Sequence, residues 1–135
     1  MIVIVAIDDK AGMMFNKRRQ SQDKALRDKV LQLTKGSILW MNAYTAKQFD
    51  GITEGIQTDE MFLQKASEGE FCFVENEKLQ SVATQIEKMV IFKWNRRYPG
   101  DFFLDVTPEK CGLVCTHTEE FEGSSHEKIT MEIWG

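Results

Sequence analysis

The sequence predicts an α/β fold with three layers, a mostly parallel central sheet and a C-terminal antiparallel hairpin. The run Ile2–Ile7 is continuous and rich in β-branched residues, which is typical of a strand buried on both faces of a parallel sheet. Apolar runs then alternate with helix-like segments, as in parallel α/β units. Near the end, Leu113–Phe121 and Lys128–Trp134 show alternating polarity and are joined by the turn-forming Glu122–Ser125, which indicates a hairpin.

Length and composition indicate one small domain that spans residues 1–135. The chain is 42% hydrophobic and 28% charged, and it has no Pro-, Ser- or Gly-rich stretch that would indicate a linker. Its net charge is −4 with both signs interspersed, so no broad electrostatic field favours nucleic acid or anionic lipid as a partner. We therefore expect a small-molecule ligand, and neither nucleic acid nor a membrane.

The N-terminal run and the cysteines indicate the compartment. The apolar run ends at Asp8, so it is too short to span a membrane, and no basic segment of a signal peptide precedes it. The three cysteines, Cys72, Cys111 and Cys115, form an odd set that does not suggest a disulfide framework. These observations predict a cytoplasmic protein and leave its oligomeric state open.

The other elements follow from periodicity and from capping residues. In chain order they are a polar loop over Lys10–Gln20, a helix over Ser21–Thr34 capped by Ser21, a strand over Ser37–Met41, a helix over Tyr44–Phe49, an aperiodic segment over Asp50–Gln57, a helix over Thr58–Ala66, a strand over Phe71–Val74, a helix over Glu77–Gln85 and a strand over Lys88–Lys93. Ligands bind at the carboxyl ends of parallel strands. Those ends carry Asp8, Asn42 and Glu75–Asn76.

Several strings in this order resemble dihydrofolate reductase. The first strand with Gly12 resembles that family's first strand and the mobile loop that closes over substrate. Ser37–Thr45 resembles the segment with the pattern M-G-R-x-T, and it retains Met41 and Thr45. Ile86–Phe92 and Gly100–Phe103 resemble the strand and the G-D-x-x-F signature that follow it, and the last hairpin completes the match. The resemblance covers nearly the whole chain and implies the dihydrofolate reductase fold.

The chain departs from this family where the cofactor would bind. Glu75 and Asn76 follow the third strand, where the family has a glycine pair that lets the backbone approach the nicotinamide nucleotide. Asn42 and Ala43 replace the Gly and Arg of the M-G-R-x-T pattern, and the chain is shorter between Phe49 and Phe71. We therefore predict no cofactor, and NADPH only if the chain is a divergent reductase.

The family's substrate acid is also absent from its expected position. Alignment puts Leu26 or Arg27 there, with Asp23 and Asp28 on either side. Asp23 is one turn away and is the candidate catalytic residue. The family's Pro-Trp in the closing loop is replaced by basic residues.

Two sets of polar residues are predicted to form the walls of a ligand cleft. The loop that follows the first strand is rich in cations and amides, and guanidinium groups bind carboxylates and phosphates with two parallel hydrogen bonds. The alternative is that this loop is simply solvated. The candidate ligand-binding residues are Asn16, Arg18, Arg19 and Asp23 on one wall and Asn42, Tyr44, Thr45, Glu75 and Asn76 on the other.

Two further clusters have simpler explanations than a site. Basic and aromatic residues alternate over Lys93–Tyr98, which suits single-stranded nucleic acid, but Trp94 and Tyr98 also suit completion of the core, and we favour the latter. Cys111, Cys115 and His117 are possible zinc ligands, with His126 as a possible fourth. Because no complete ligand set is evident, we predict no metal.

The leading hypothesis is a dihydrofolate reductase-like protein without NADPH-dependent reductase activity that keeps a cleft for a small anionic or heterocyclic ligand. One alternative is a divergent reductase, an oxidoreductase that acts on another substrate with Asp23 or Asp8 assisting protonation. The other is an interaction module that binds nucleic acid or a protein partner through its Arg-Arg pairs at residues 18–19 and 96–97.

Overall fold

The computed structural model describes all of residues 1–135 and contains ten strands and three α-helices. The strands are β1 Ile2–Ile7, β2 Gly12–Phe15, β3 Arg18–Arg19, β4 Leu39–Met41, β5 Ile56–Thr58, β6 Phe71–Phe73, β7 Lys88–Lys93, β8 Phe102–Phe103, β9 Cys115–Phe121 and β10 Ile129–Trp134. The helices are α1 Lys24–Thr34, α2 Ala43–Ala46 and α3 Phe62–Lys65, with short 3-10 turns at Lys47–Phe49, Gln80–Gln85 and Glu109–Cys111.

Seven strands form the main sheet in the order β5-β4-β6-β1-β7-β10-β9. The first five strands in this order are parallel, and β10 is antiparallel to both β7 and β9. β1 lies at the centre, with Ile4 beside Phe73 of β6 on one side and Val90 of β7 on the other. A mostly parallel sheet with a terminal antiparallel hairpin confirms the predicted fold class.

The two faces of the main sheet are covered separately. Successive side chains of a strand point to opposite faces, so Val3 and Val5 pack on one face while Ile4 packs on the other. Leu26 and Val30 of α1 cover the face of Ile4. The opposite face is covered by residues from α3, from the 3-10 turn after it and from the β2 region, namely Phe62, Leu63, Leu79, Val82, Met13 and Met14. The sheet is therefore the middle of three layers.

The predicted polar loop over Lys10–Gln20 is wrong, because this segment forms an antiparallel hairpin. β2 pairs with β3 and with β8 in a second, three-stranded sheet. The hairpin turns at Asn16 and Lys17, whose φ angles are +50° and +62°, as a two-residue turn requires. Asn tolerates a positive φ, but no glycine follows it, so the usual hairpin signal was missing.

Helix α1 begins later than predicted, and its cap is Asp23 instead of Ser21. The Asp23 carboxylate accepts a hydrogen bond from the backbone N–H of Leu26 at 3.2 Å. Asp and Ser are comparable caps, and tertiary contacts made by the Asp23 carboxylate decide between them.

The segment expected to be aperiodic ends in β5, which pairs with β4 through Leu39 and Ile56. As an edge strand with exposed Gln57 and Thr58, β5 lacks the apolar pattern of a buried strand. The helix expected from Thr58 is reduced to α3, and the helix expected over Glu77–Gln85 is a 3-10 turn. No helix has the length and apolar character needed to cross a bilayer.

Candidate functional site

The hairpin β2–β3 lies against the carboxyl edge of the main sheet through an ion pair between Arg19 and Glu75. Arg19 ends β3, and Glu75 follows β6. The Nε of Arg19 lies 2.9 Å from Oε2 of Glu75, and its Nη2 lies 3.2 Å from Oε1. The two side chains are 18% and 10% exposed. This two-point contact joins two predicted ligand-binding residues to each other.

Tyr44 encloses the same guanidinium. Its hydroxyl accepts a hydrogen bond from the backbone N–H of Arg19 at 2.7 Å, and its carbonyl accepts one from Nη2 at 3.1 Å. The Arg19 guanidinium carbon lies 4.4 Å from the centre of the Tyr44 ring, a cation–π distance. Burial lowers the pKa of Arg19, but the hydrogen bond and charge of Glu75 raise it by more. The group therefore stays charged and fixed in place.

Asn42, Thr45 and Asn76 form a second polar group at this edge. The amide nitrogen of Asn42 donates to Oδ1 of Asn76 at 2.7 Å, and its Oδ1 accepts the Thr45 backbone N–H at 3.0 Å. Thr45 is fully buried, and its hydroxyl has no hydrogen-bond partner. Asn42 thus begins helix α2 and holds Asn76 at the end of β6.

Two open grooves flank the hairpin. The first, which we name the Arg18 groove, has a volume of about 490 Å³ and is lined by Phe15, Asn16, Arg18, Arg19, Gln20, Tyr98 and Pro99. The second, the Asn76 groove, has a volume of about 530 Å³ and is lined by Met14, Asn16, Lys17, Asn76, Asp101 and Phe102. Four predicted ligand-binding residues therefore line a groove. Tyr44 and Glu75 hold Arg19 in place, while Asn42 holds Asn76.

Asp23 lies apart from both grooves, beneath the connection between β9 and β10. Its carboxylate accepts hydrogen bonds from the backbone N–H groups of Ser124 and Ser125 at 3.0 and 2.8 Å, and Nδ1 of His126 lies 2.9 Å away. Burial raises the pKa of Asp23, but these hydrogen bonds lower it by more, to a value far below its usual range. Asp23 is therefore ionised at neutral pH and joins α1 to the hairpin.

A cluster around His126 is not predicted by the sequence. Its Nε2 lies 2.9 Å from the hydroxyls of both Ser21 and Tyr98. The imidazole stacks on Trp94 with 4.5 Å between ring centres. Ser21 and His126 are separated by more than 100 residues, so nothing local in the sequence indicates that they meet.

Asp8 fastens the hairpin to the segment that follows β7. Its carboxylate accepts the backbone N–H groups of Lys10, Gly12 and Tyr98 at 3.0, 2.7 and 3.0 Å. The amide of Gln20 lies 3.3 Å from its second oxygen. Burial raises the pKa of Asp8, but these hydrogen bonds lower it by more. Gly12 is needed at its position, because an added Cβ would lie 2.9 Å from the Asp8 carboxylate.

Comparison with known proteins identifies the fold. No protein-family model and no curated protein matches the chain. Among solved structures, dihydrofolate reductase from Enterococcus faecalis, complexed with NADP(H) and RAB-propyl, matches with a TM-score of 0.67 over 98% of this chain and 94% of that chain. This chain has the dihydrofolate reductase fold. The sequence identity is 11%, so the likeness concerns the fold alone.

Within the dihydrofolate reductase fold of this chain, the end of β6 is occupied by side chains. Glu75 and Asn76 occupy the positions that the sequence resemblance assigns to the glycine pair of dihydrofolate reductases. Glu75 pairs with Arg19, and Asn76 accepts a hydrogen bond from Asn42. At the end of β6 these two side chains are therefore fixed by an ion pair and by an amide–amide hydrogen bond.

The possible zinc ligands of the sequence analysis lie in different environments. Cys111 packs against the core, whereas Cys115 and His117 are exposed on β9. No group of three or more His, Cys, Asp or Glu side chains is arranged to hold a metal ion. His126 instead contacts Asp23, Ser21 and Tyr98.

The lowered pKa of Asp23 makes the protein sensitive to acid. The ionised Asp23 carboxylate stabilises the folded state fully above about pH 4, the ordinary pKa of an aspartate. This contribution is lost as the pH falls toward the lower pKa that Asp23 has in the folded state. We expect the free energy of unfolding, measured with urea between pH 6 and 2, to fall by up to about 1.4 kcal/mol per pH unit from this group. Asp23→Asn should flatten the slope below pH 4, and an unchanged slope would contradict this account. Other carboxylates whose pKa is lowered in the fold, Asp8 among them, keep part of the slope in that variant.

Proposed function

We propose that this protein binds a small anionic or heterocyclic ligand and has no NADPH-dependent dihydrofolate reductase activity. The observation that carries the proposal is the ion pair between Arg19 and Glu75 at the end of β6. A dinucleotide would bring its pyrophosphate against a carboxylate that is 10% exposed. The Nε and Nη2 donors of Arg19 are already used by Glu75, so they are not free to bind the pyrophosphate.

The Arg18 groove has the chemistry that such a ligand requires. Arg18 is exposed, and its guanidinium makes no ion pair or hydrogen bond within the chain. Phe15, which is 40% exposed, and Tyr98 line the same groove. A free guanidinium favours a carboxylate or phosphate, and aromatic faces favour a planar ring. We propose a ligand that combines an anionic group with a planar ring.

The proposed compartment is the cytoplasm. The three free cysteines support a reducing compartment of this kind.

Arg18→Ala is expected to weaken ligand binding by about 10- to 100-fold, because a hydrogen bond to a charged group contributes about 1.5–3 kcal/mol. Folic acid, a heterocycle with an anionic tail, is the first probe for isothermal titration calorimetry. The matched control is Arg96→Ala, an exposed arginine outside both grooves, which should leave the affinity unchanged. Equal losses in the two variants would indicate non-specific attraction to charge and would contradict the site.

Titration with NADPH tests the cofactor half of the proposal. We expect no binding at micromolar concentrations when quenching of protein fluorescence is followed, and no oxidation of NADPH in the presence of dihydrofolate. Micromolar binding with dihydrofolate turnover would overturn the proposal. Turnover with another substrate would favour a divergent reductase. Salt-dependent binding of single-stranded oligonucleotides would instead favour the interaction module.

A further inference from the structure

We propose that Ser21 is a nucleophile that takes an acyl group from an activated ester, with His126 as its general base and Asp23 orienting the imidazole. The three side chains form a continuous chain of contacts. Oγ of Ser21 lies 2.9 Å from Nε2 of His126, and Nδ1 of His126 lies 2.9 Å from Oδ2 of Asp23. This order of groups activates a serine on several unrelated folds and is recognised by geometry.

The tautomer of His126 follows from its environment. The Asp23 carboxylate is ionised and can only accept, so Nδ1 of the imidazole carries the proton that faces it. His126 and Asp23 are 5% and 2% exposed, which keeps water from replacing this contact. Stacking on Trp94 at an angle of 24° fixes the plane of the ring. Nε2 of the neutral imidazole is then an acceptor directed at the Ser21 hydroxyl.

Ser21 is less buried than His126 and Asp23. It is half-buried in the link between β3 and α1, next to Gln20, which lines the Arg18 groove. Tyr98 lines that groove as well, and its hydroxyl also lies 2.9 Å from Nε2 of His126. One lone pair on Nε2 therefore serves two hydroxyls. Tyr98 competes with Ser21 for the base and limits how often Ser21 is activated.

The chemical step is an acyl transfer that needs no co-reactant. The Ser21 oxygen attacks the ester carbonyl and passes its proton to Nε2 of His126. The bond between the carbonyl carbon and the alkoxy or phenoxy oxygen of the ester then breaks, and the leaving alkoxide or phenolate takes that proton. The products are an acyl-Ser21 ester and a free alcohol or phenol. Water can repeat the sequence to release the acid, which regenerates the serine.

Acetylation by 4-nitrophenyl acetate tests this proposal. Wild-type protein is expected to release nitrophenolate in a burst, and mass spectrometry of its peptides should locate the acetyl group on Ser21. Ser21→Ala should abolish the modification at this site, and His126→Gln should slow it by about 100-fold or more, since a positioned general base contributes at least that much. Ser81→Ala removes an exposed serine far from the cluster and should change nothing.

Tyr98→Phe separates a catalytic role of the cluster from a merely structural one. Loss of the competing hydroxyl leaves Nε2 to Ser21 alone, so acetylation should become up to about twofold faster. This variant and Ser21→Ala each remove one oxygen atom, so they remain informative if His126→Gln fails to fold. Acetyl groups found on lysines but not on Ser21 in folded wild-type protein would overturn the proposal, as would an undiminished rate in Ser21→Ala.

Discussion

Replacement of Asp23 by alanine is expected to lower the free energy of unfolding by about 3–5 kcal/mol, the usual cost of removing one partner from a buried charged contact. The carboxylate caps α1 through the N–H of Leu26, and it accepts the backbone N–H groups of Ser124 and Ser125. It also faces the imidazole of His126. Alanine leaves the buried Leu26 N–H and His126 Nδ1 without this partner, and it also removes the acceptor of the part-buried Ser124 and Ser125 N–H groups. Because small domains are stable by only about 5–15 kcal/mol, the variant should be close to unfolding at 37 °C.

Urea denaturation of two further variants shows whether the loss arises from burial. Asp23→Asn keeps one acceptor oxygen and should lose less stability than Asp23→Ala. Asp28 lies on the same helix and forms an exposed ion pair with Lys24. Asp28→Ala should therefore change the free energy of unfolding by no more than about 0.5 kcal/mol. If Asp23→Ala and Asp28→Ala have similar effects, the buried network does not stabilise the fold.

Replacement of Arg19 by methionine is expected to cost about 2–4 kcal/mol, less than the loss of Asp23 because the pair is partly exposed. Methionine keeps much of the aliphatic part of the side chain but leaves the Glu75 carboxylate, which is 10% exposed, without its donors. The unpaired carboxylate is then poorly solvated, which destabilises the folded state. The loss of stability is measured as a lower midpoint of urea denaturation, with an unchanged dependence of the unfolding free energy on urea concentration.

A double variant distinguishes loss of packing from an unpaired charge. Arg19→Met combined with Glu75→Leu removes both charges, so stability should recover by at least half of the single loss. Lys24→Met, which breaks an exposed ion pair, should shift the free energy by no more than about 0.5 kcal/mol. A double variant less stable than Arg19→Met would show that the methyl and methylene groups of the new side chains do not fit.

The central strands of the fold could be predicted closely from the sequence. β1 and β7 have the predicted bounds of residues 2–7 and 88–93, because a strand buried on both faces has a continuous apolar run, which in β7 ends at a lysine on each side. The terminal hairpin is also predicted, because the turn-forming Glu122–Ser125 separates two segments of alternating polarity, and β10 has Ile129 and Met131 buried on one face. Other exposed elements carry no such signal. β5 was missed because two of its three residues are exposed, and β2–β3 was missed because its turn uses Asn16 and Lys17 instead of Asn-Gly.

The candidate site was predicted in part, because residue type indicates chemistry but not pairing. The basic loop residues and the polar residues after the strands do meet at one edge, as shown by Arg19 with Glu75. The sequence could not indicate that these two charges neutralise each other across 56 positions, which leaves Arg18 as the unpaired member of the Arg18–Arg19 pair. Similarly, the sequence indicates His126 only as a possible zinc ligand, whereas its contacts in the fold are Asp23, Ser21 and Tyr98.

The hairpin β2–β3 is tied to the rest of the protein at separate points along its length. Asp8 holds its beginning, Asp101 accepts the N–H of Asn16 at its tip, and Glu75 holds Arg19 at its end. These three anchors oppose a lid-like swing of the hairpin. The ligand proposed for the Arg18 groove would therefore meet walls that are already assembled, and we expect its binding to need no slow rearrangement of the protein.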